Sequence, residues 1–70
     1  MRDPRRIRKF CNRLAAAWEL FPDLRFGQLV YIIFDQMNDE KTDPFYVEDD
    51  AMIECIEQYI ERNTGVTLHE

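Results

Sequence analysis

The chain of 70 residues is long enough for one small domain, and its formal net charge at pH 7 is −5. Its residues are 46% hydrophobic, which argues against an intrinsically disordered chain. Two cysteines are too few for a disulfide framework. We therefore predict a single domain over residues 1–70, with Cys11 and Cys55 as buried free thiols; a bridge between the two is an open alternative.

The charge is divided unevenly along the chain. Residues 1–37 hold seven basic and four acidic residues, whereas residues 38–70 hold two basic and ten acidic ones. Oppositely charged surfaces of this kind either lie side by side within one molecule or face different partners. The sequence leaves both alternatives open.

The first segment predicts a helix over residues 4–21. Asp3 can accept a hydrogen bond from an unpaired amide at the helix start, and the fixed φ of Pro4 suits the first helical position. Pro22 disfavours helical geometry in the residue before it, so we expect the helix to stop near Phe21. Apolar residues recur between these limits at steps of three and four: Ile7, Phe10, Cys11, Leu14, Trp18 and Phe21.

The most apolar part of the chain predicts a second helix over residues 25–37. Its periodic pattern is longer than an ordinary strand, although a buried strand over residues 29–34 is the alternative. We expect Asp23 to cap this helix and Gly27 to let the first helix approach closely. The residues that keep the helical period are Phe26, Leu29, Val30, Ile33, Phe34 and Met37.

Residues 38–44 are polar and predict a loop, and a third helix follows over residues 48–63. The acidic residues at its start suit the positive end of a helix dipole, and Gly65 is a suitable C-terminal stop. The apolar face contains Met52, Ile53, Ile56, Tyr59 and Ile60. Together the three segments predict a small all-α, three-helix domain.

The sequence shows no recognisable catalytic or metal-binding motif. The chain has no serine, which excludes serine nucleophiles, and its single histidine, His69, is poorly placed to activate a cysteine. Two cysteines and one histidine do not make a zinc site. The acidic stretch 35–50 lacks the glycine and the ligand spacing of a calcium loop. We therefore expect no enzymatic activity, no metal and no cofactor.

Two charged surfaces are candidates for binding. An aromatic and acidic surface could anchor a protein partner; the alternative is that its aromatic residues close the core and its acidic residues are solvated. The candidate protein-binding residues are Phe45, Tyr46, Glu48, Asp49, Asp50, Glu54, Glu57 and Glu61, of which the last three are expected to form an acidic stripe on the outside of the third helix. A basic face on the first helix could bind nucleic acid, although the net charge disfavours it. Its residues are Arg5, Arg6, Arg8, Lys9 and Arg13.

The middle helix is apolar on more than one side. Tyr31, Ile32 and Phe34 cannot share one face with Leu29 and Ile33. Such a helix is buried either by both neighbouring helices or by a second copy of the chain. We therefore expect a homodimer through this helix as one of two arrangements.

Several motifs together resemble those of a group of small bacterial and prophage proteins. They are MRDP at residues 1–4, PDLRFGQL at 22–29 and DPFYVEDD at 43–50, with Arg6, Ile7 and Trp18. The likeness covers the chain up to about Tyr59 and transfers no catalytic or cofactor residue. It implies a small intracellular protein of phage origin, a class that often binds and blocks a host protein.

These observations predict a non-enzymatic protein-interaction module, specifically a phage-encoded inhibitor that occludes a host defence or regulatory protein through its acidic face. The alternative is a small nucleic-acid-binding regulator that uses the basic first helix. No apolar run approaches the roughly 18 residues of a membrane span. The charged first nine residues are unlike a signal peptide, so we expect a cytoplasmic protein with no membrane partner.

Overall fold

Three α-helices make up most of the computed structural model, which describes residues 2–68. They are α1 (Arg5–Trp18), α2 (Phe26–Asp39) and α3 (Asp49–Thr64), and a 3-10 turn over Pro44–Tyr46 separates α2 from α3. The predicted small all-α, three-helix fold is confirmed, and residues 29–34 are helical rather than a strand. The prediction that involved His69, and the resemblance at Met1, lie outside the described residues.

The start of α1 follows the prediction, whereas its end does not. Asp3 Oδ1 accepts a hydrogen bond of 2.9 Å from the Arg5 amide, and Pro4 has helical dihedral angles. The helix ends at Trp18 rather than near Phe21, because the amides of Leu20 and Phe21 bond to carbonyls only three residues back. The segment that connects α1 to α2 contacts the end of α1, because the Trp18 indole Nε1 donates a hydrogen bond of 2.6 Å to the Leu24 carbonyl oxygen.

Two predictions about the start of α2 are wrong. The N-cap is Arg25 rather than Asp23, and its backbone amide donates to Gln28 Oε1 at 2.8 Å. Gly27 is exposed, and a Cβ atom built on it meets nothing within 4 Å. Close approach of α1 therefore does not require this glycine. The helix runs two residues beyond the predicted end, and Lys41 then takes a left-handed conformation with φ 60°.

The third helix matches its prediction to within one residue at each end. Asp49 and Asp50 occupy its first turn, where carboxylates favour the helix dipole. Gly65 ends it in a left-handed conformation with φ 75°, and the Gly65 amide donates to the Glu61 carbonyl oxygen at 2.8 Å. This arrangement is the expected glycine stop.

The hydrophobic core lies where α1 and α2 pack onto α3. Its buried members are Ala17, Leu29, Ile33, Met37, Ile53, Ile56 and Ile60. The expectation of two buried thiols is wrong for Cys11, which is exposed because Ala17 is the α1 residue that is turned toward the core. Cys55 is half-buried, and both thiols are free. Within residues 2–68, no helix combines the length and hydrophobicity that a membrane crossing requires.

Candidate functional site

The basic face of α1 and the acidic face of α3 lie side by side in the structure. Three ion pairs connect the two segments: Arg2–Glu48 at 3.2 Å, Arg6–Asp49, and Arg13–Glu57 at 2.5 Å. The uneven charge of the sequence is therefore partly neutralised within the molecule. Of the two alternatives that the sequence left open, the structure shows the first for these residues.

Glu57 differs from the other acidic candidates, because it is only 4% exposed. Its carboxylate accepts two hydrogen bonds from Arg13, from Nε at 3.0 Å and from Nη2 at 2.5 Å. The hydrogen bond to Glu57 is the largest effect that raises the pKa of Arg13 above its usual value. The expectation that Glu57 belongs to an exposed acidic stripe is therefore wrong, since this side chain faces α1.

The remaining acidic residues of α3 form a shorter exposed surface. Asp50 and Glu54 are exposed, and no ion pair joins either of them to another of residues 2–68. Glu61 is half-buried, and its Oε2 accepts a hydrogen bond of 2.7 Å from the Leu68 amide. Asp50 and Glu54, called the acidic strip below, are thus the acidic candidates best placed to meet a partner.

Phe45 and Tyr46 form an exposed aromatic pair. They are 84% and 77% exposed, and their rings meet edge to face with centroids 4.9 Å apart. The alternative that they close the core is therefore wrong. Asp43 caps the 3-10 turn that carries them, since its Oδ1 accepts a hydrogen bond of 3.0 Å from the Phe45 amide. Pro44 restricts the first position of the same turn.

The five basic candidates of α1 are divided between paired and unpaired side chains. Arg6 and Arg13 pair with α3, and Arg5 pairs with Asp3 at 2.8 Å. Arg8 and Lys9 make no ion pair with any other residue of the described range. Few cations therefore remain for phosphate groups, which weakens the support for the nucleic-acid alternative.

An apolar groove lies between α1 and α2, and no sequence pattern predicted it. It has a volume of 180 Å³, and all of the residues that line it are apolar. Phe10 and Leu14 form the α1 wall, while Phe26, Val30 and Phe34 form the α2 wall. Trp18 of α1 and Phe26 of α2 are in ring contact, with centroids 5.6 Å apart. The periodicity of each helix marked the lining residues as core, but it could not show that a groove is left between the two helices.

Across residues 2–68, no group of three or more His, Cys, Asp or Glu side chains is placed to hold a metal ion. What the described surfaces offer is an aromatic pair, a short acidic strip and an apolar groove, which are features of protein contacts.

Comparison with known proteins identifies no relative. No protein-family model, no curated protein and no solved structure matches this chain. The likeness of its motifs to small bacterial and prophage proteins therefore remains a resemblance, and the function has to be argued from the surfaces described above.

Proposed function

We propose that this chain is a non-enzymatic protein-interaction module whose contact surface is centred on Phe45 and Tyr46. The observation that carries the proposal is the high exposure of both rings, 84% and 77%, on a turn whose backbone is fixed. Tyr is among the residues that dominate binding energy at interfaces, and aromatic residues in general are enriched there. Neither ring belongs to the buried core, so packing within the fold does not explain why two large aromatic residues are exposed to water.

The turn holds the aromatic pair ready for binding. The Asp43 cap and Pro44 restrict the backbone, and edge-to-face contact restricts both rings. Association then orders little that is not ordered already, which favours affinity. We therefore propose that the pair enters an apolar pocket of the partner as a preformed unit.

Exposed carboxylates that follow this turn in the chain favour a partner with basic residues around that pocket. Asp50 and Glu54 are exposed and lack ion-pair partners among residues 2–68, and Glu48 is exposed despite its contact with Arg2. Complementary charges at the rim of an interface raise the association rate and exclude wrong partners. Their contribution to affinity should fall as salt is added.

The proposal extends to an inhibitor that occludes a host defence or regulatory protein. The resemblance to small prophage proteins supports this extension, and the lack of a recognisable catalytic motif in the sequence fits it. The module would act in the cytoplasm, where its two thiols stay reduced. A homodimer through α2 is part of the same proposal and uses a different surface.

The test is affinity capture from host lysate with the wild-type chain and two matched variants. The double variant Phe45→Ala/Tyr46→Ala removes the proposed anchor, and Tyr31→Ala removes an equally exposed ring on α2. We expect the wild type and the Tyr31 variant to retain one stoichiometric protein after nuclease treatment, and the double variant to lose at least tenfold in affinity for it. Equal capture by the double variant would contradict the proposal.

A second pair of variants tests the acidic rim. Asp50→Asn/Glu54→Gln should weaken capture at low salt and have less effect at high salt, and this change adds no cation near Arg13. Glu57 is left unchanged, because its reversal would place a cation against Arg13 and disturb the fold. If nucleic acid alone is recovered before nuclease treatment, and no protein after it, the regulator alternative that uses Arg8 and Lys9 is favoured instead.

A further inference from the structure

The apolar groove between α1 and α2 is too small for an ordinary ligand. Its volume of 180 Å³ lies below the roughly 300 Å³ at which small-molecule pockets begin. A buried cavity of about 150 Å³ accepts one benzene ring. The groove therefore suits one aromatic side chain of another protein surface rather than a cofactor or a metabolite.

The apolar surface at and beside the groove is large for a chain of this size. Phe26, Phe34 and Tyr31 remain 53%, 43% and 72% exposed. With about 200 Å² for each aromatic side chain, they present roughly 350 Å² to solvent. Two copies would contribute roughly 700 Å² from these residues, against about 1,000 Å² of apolar area in a protein interface of standard size. Complete burial of these three rings by a second copy would therefore supply most of the apolar area that a stable dimer needs.

The α2 wall of the groove has the same order of residue types in both directions along the helix, Phe–Val–Phe. Phe26, Val30 and Phe34 lie four residues apart, so they form one ridge of about 12 Å with a phenyl ring at each end. An isologous two-fold contact requires a surface that is complementary to itself. A second α2 in antiparallel orientation, crossing at Val30, places Phe26 of each copy beside Phe34 of the other.

From this symmetry we propose that the groove and the ridge form a homodimer interface in which two α2 helices cross at Val30. Ridges of residues four apart interdigitate at a crossing angle of about −50°. The Phe34 ring of each copy then closes the Phe26 end of the other copy's groove. No charged residue lines the groove, so two acidic chains can meet there without contact between like charges.

The inference rests on the proposed homodimer, and its test needs no partner protein. Sedimentation equilibrium of the whole chain should give twice the 8.5 kDa mass of one chain at high protein concentration. Phe26→Glu and Phe34→Lys each place a charge against a phenyl ring of the other copy. Each single variant should raise the dimer dissociation constant about thirtyfold or more, while circular dichroism shows the helices intact.

Charge exchange tests the antiparallel register. In the double variant Phe26→Glu/Phe34→Lys, the proposed contact brings Glu and Lys together at both ends, so dimers should return. An equimolar mixture of the two single variants should also recover dimers, with one Glu–Lys contact and one contact between phenyl rings. The chosen charges suit the helix dipole, with Glu near the start of α2 and Lys beyond its middle.

Phe45→Lys is the control that separates this interface from the partner-binding turn, and it should leave the dimer unchanged. Dissociation of the dimer by this variant would locate the contact at the turn and overturn the inference. A monomeric wild type, or single variants that remain dimeric, would overturn it as well. If the folded double variant and the mixture both stay monomeric, the antiparallel pairing of Phe26 with Phe34 is wrong.

Discussion

The guanidinium group of Arg13 makes two hydrogen bonds to the carboxylate of Glu57, a residue 44 positions later in the chain. Glu57 is buried, whereas the Arg13 side chain is 39% exposed. The contact joins α1 to the middle of α3. It thus fixes both the position of α1 and the way the charged faces of the two helices meet.

Removal of the cation should destabilise the fold more than removal of both groups. Arg13→Met takes two hydrogen bonds from a buried carboxylate, and we expect the melting temperature to fall by roughly 5 °C or more. Arg13→Met/Glu57→Leu also removes the buried charge, so it should recover much of that loss. Thermal unfolding of the single and double variants, followed by circular dichroism, measures the difference.

Arg5→Met is a suitable control for Arg13→Met, because Arg5 forms an ion pair only with the nearby Asp3 at the surface. Exposed pairs of this kind contribute little to stability. If Arg5→Met lowers the melting temperature as much as Arg13→Met does, the Arg13–Glu57 contact stabilises the fold no more than an exposed ion pair does. If the double variant is less stable than Arg13→Met, the buried carboxylate is stabilised mainly by groups other than Arg13.

The two glycines should respond in opposite ways to the same substitution. Gly27 lies in the first turn of α2 with open space around it, so Gly27→Ala should stabilise the fold by about 0.5–1 kcal/mol. Gly65 has φ 75°, a conformation that a Cβ atom disfavours, and Gly65→Ala should destabilise by about 1–2 kcal/mol. Thermal or urea unfolding measures both; destabilisation by Gly27→Ala would mean that this turn of α2 is not as open as described.

Helix periodicity was enough to predict the fold, because burial follows the spacing of apolar residues. Leu29, Ile33 and Met37 are spaced by four and are all buried. The burial of Glu57 could not be predicted, since its cause is a partner 44 residues away on another helix. Phe45 and Tyr46 posed the opposite problem: their chemistry favoured the core, and only the position of the turn shows that they are exposed. Neither the burial of Glu57 nor the exposure of the two aromatic rings can be read from the local sequence.

Acidification should weaken the start of α1. Hydrogen bonds from the Arg5 side chain and backbone amide hold the pKa of Asp3 below its usual value. Because the folded pKa is the lower one, the ionised carboxylate stabilises the fold above the unfolded pKa of about 4, and this contribution is lost as the pH falls through the folded value. We expect a small fall in melting temperature over this acid range.

Two substitutions separate the charge of Asp3 from its capping role. Asp3→Asn keeps an oxygen that can accept the Arg5 amide but has no charge to titrate, so its acid-induced fall should be smaller than that of the wild type. Asp3→Ala should lower the melting temperature at neutral pH as well. An acid response of Asp3→Asn equal to that of the wild type would assign the effect to other carboxylates.

The two thiols should differ in reactivity while the protein is folded. Burial is the main cause that raises the pKa of Cys55 above its usual value, and the nearby carboxylates of Glu40 and Glu54 add to it. The reactive form of cysteine is the thiolate, so Cys55 is disfavoured both by its raised pKa and by restricted access, whereas Cys11 is exposed. Alkylation by iodoacetamide, followed by mass spectrometry, should label Cys11 at least about tenfold faster than Cys55.

The variants Cys11→Ala and Cys55→Ala assign the two labelling rates, and in denaturant the two rates should converge. Equal rates in the folded protein would show that the Cys55 thiol on α3 is as accessible as the Cys11 thiol on α1.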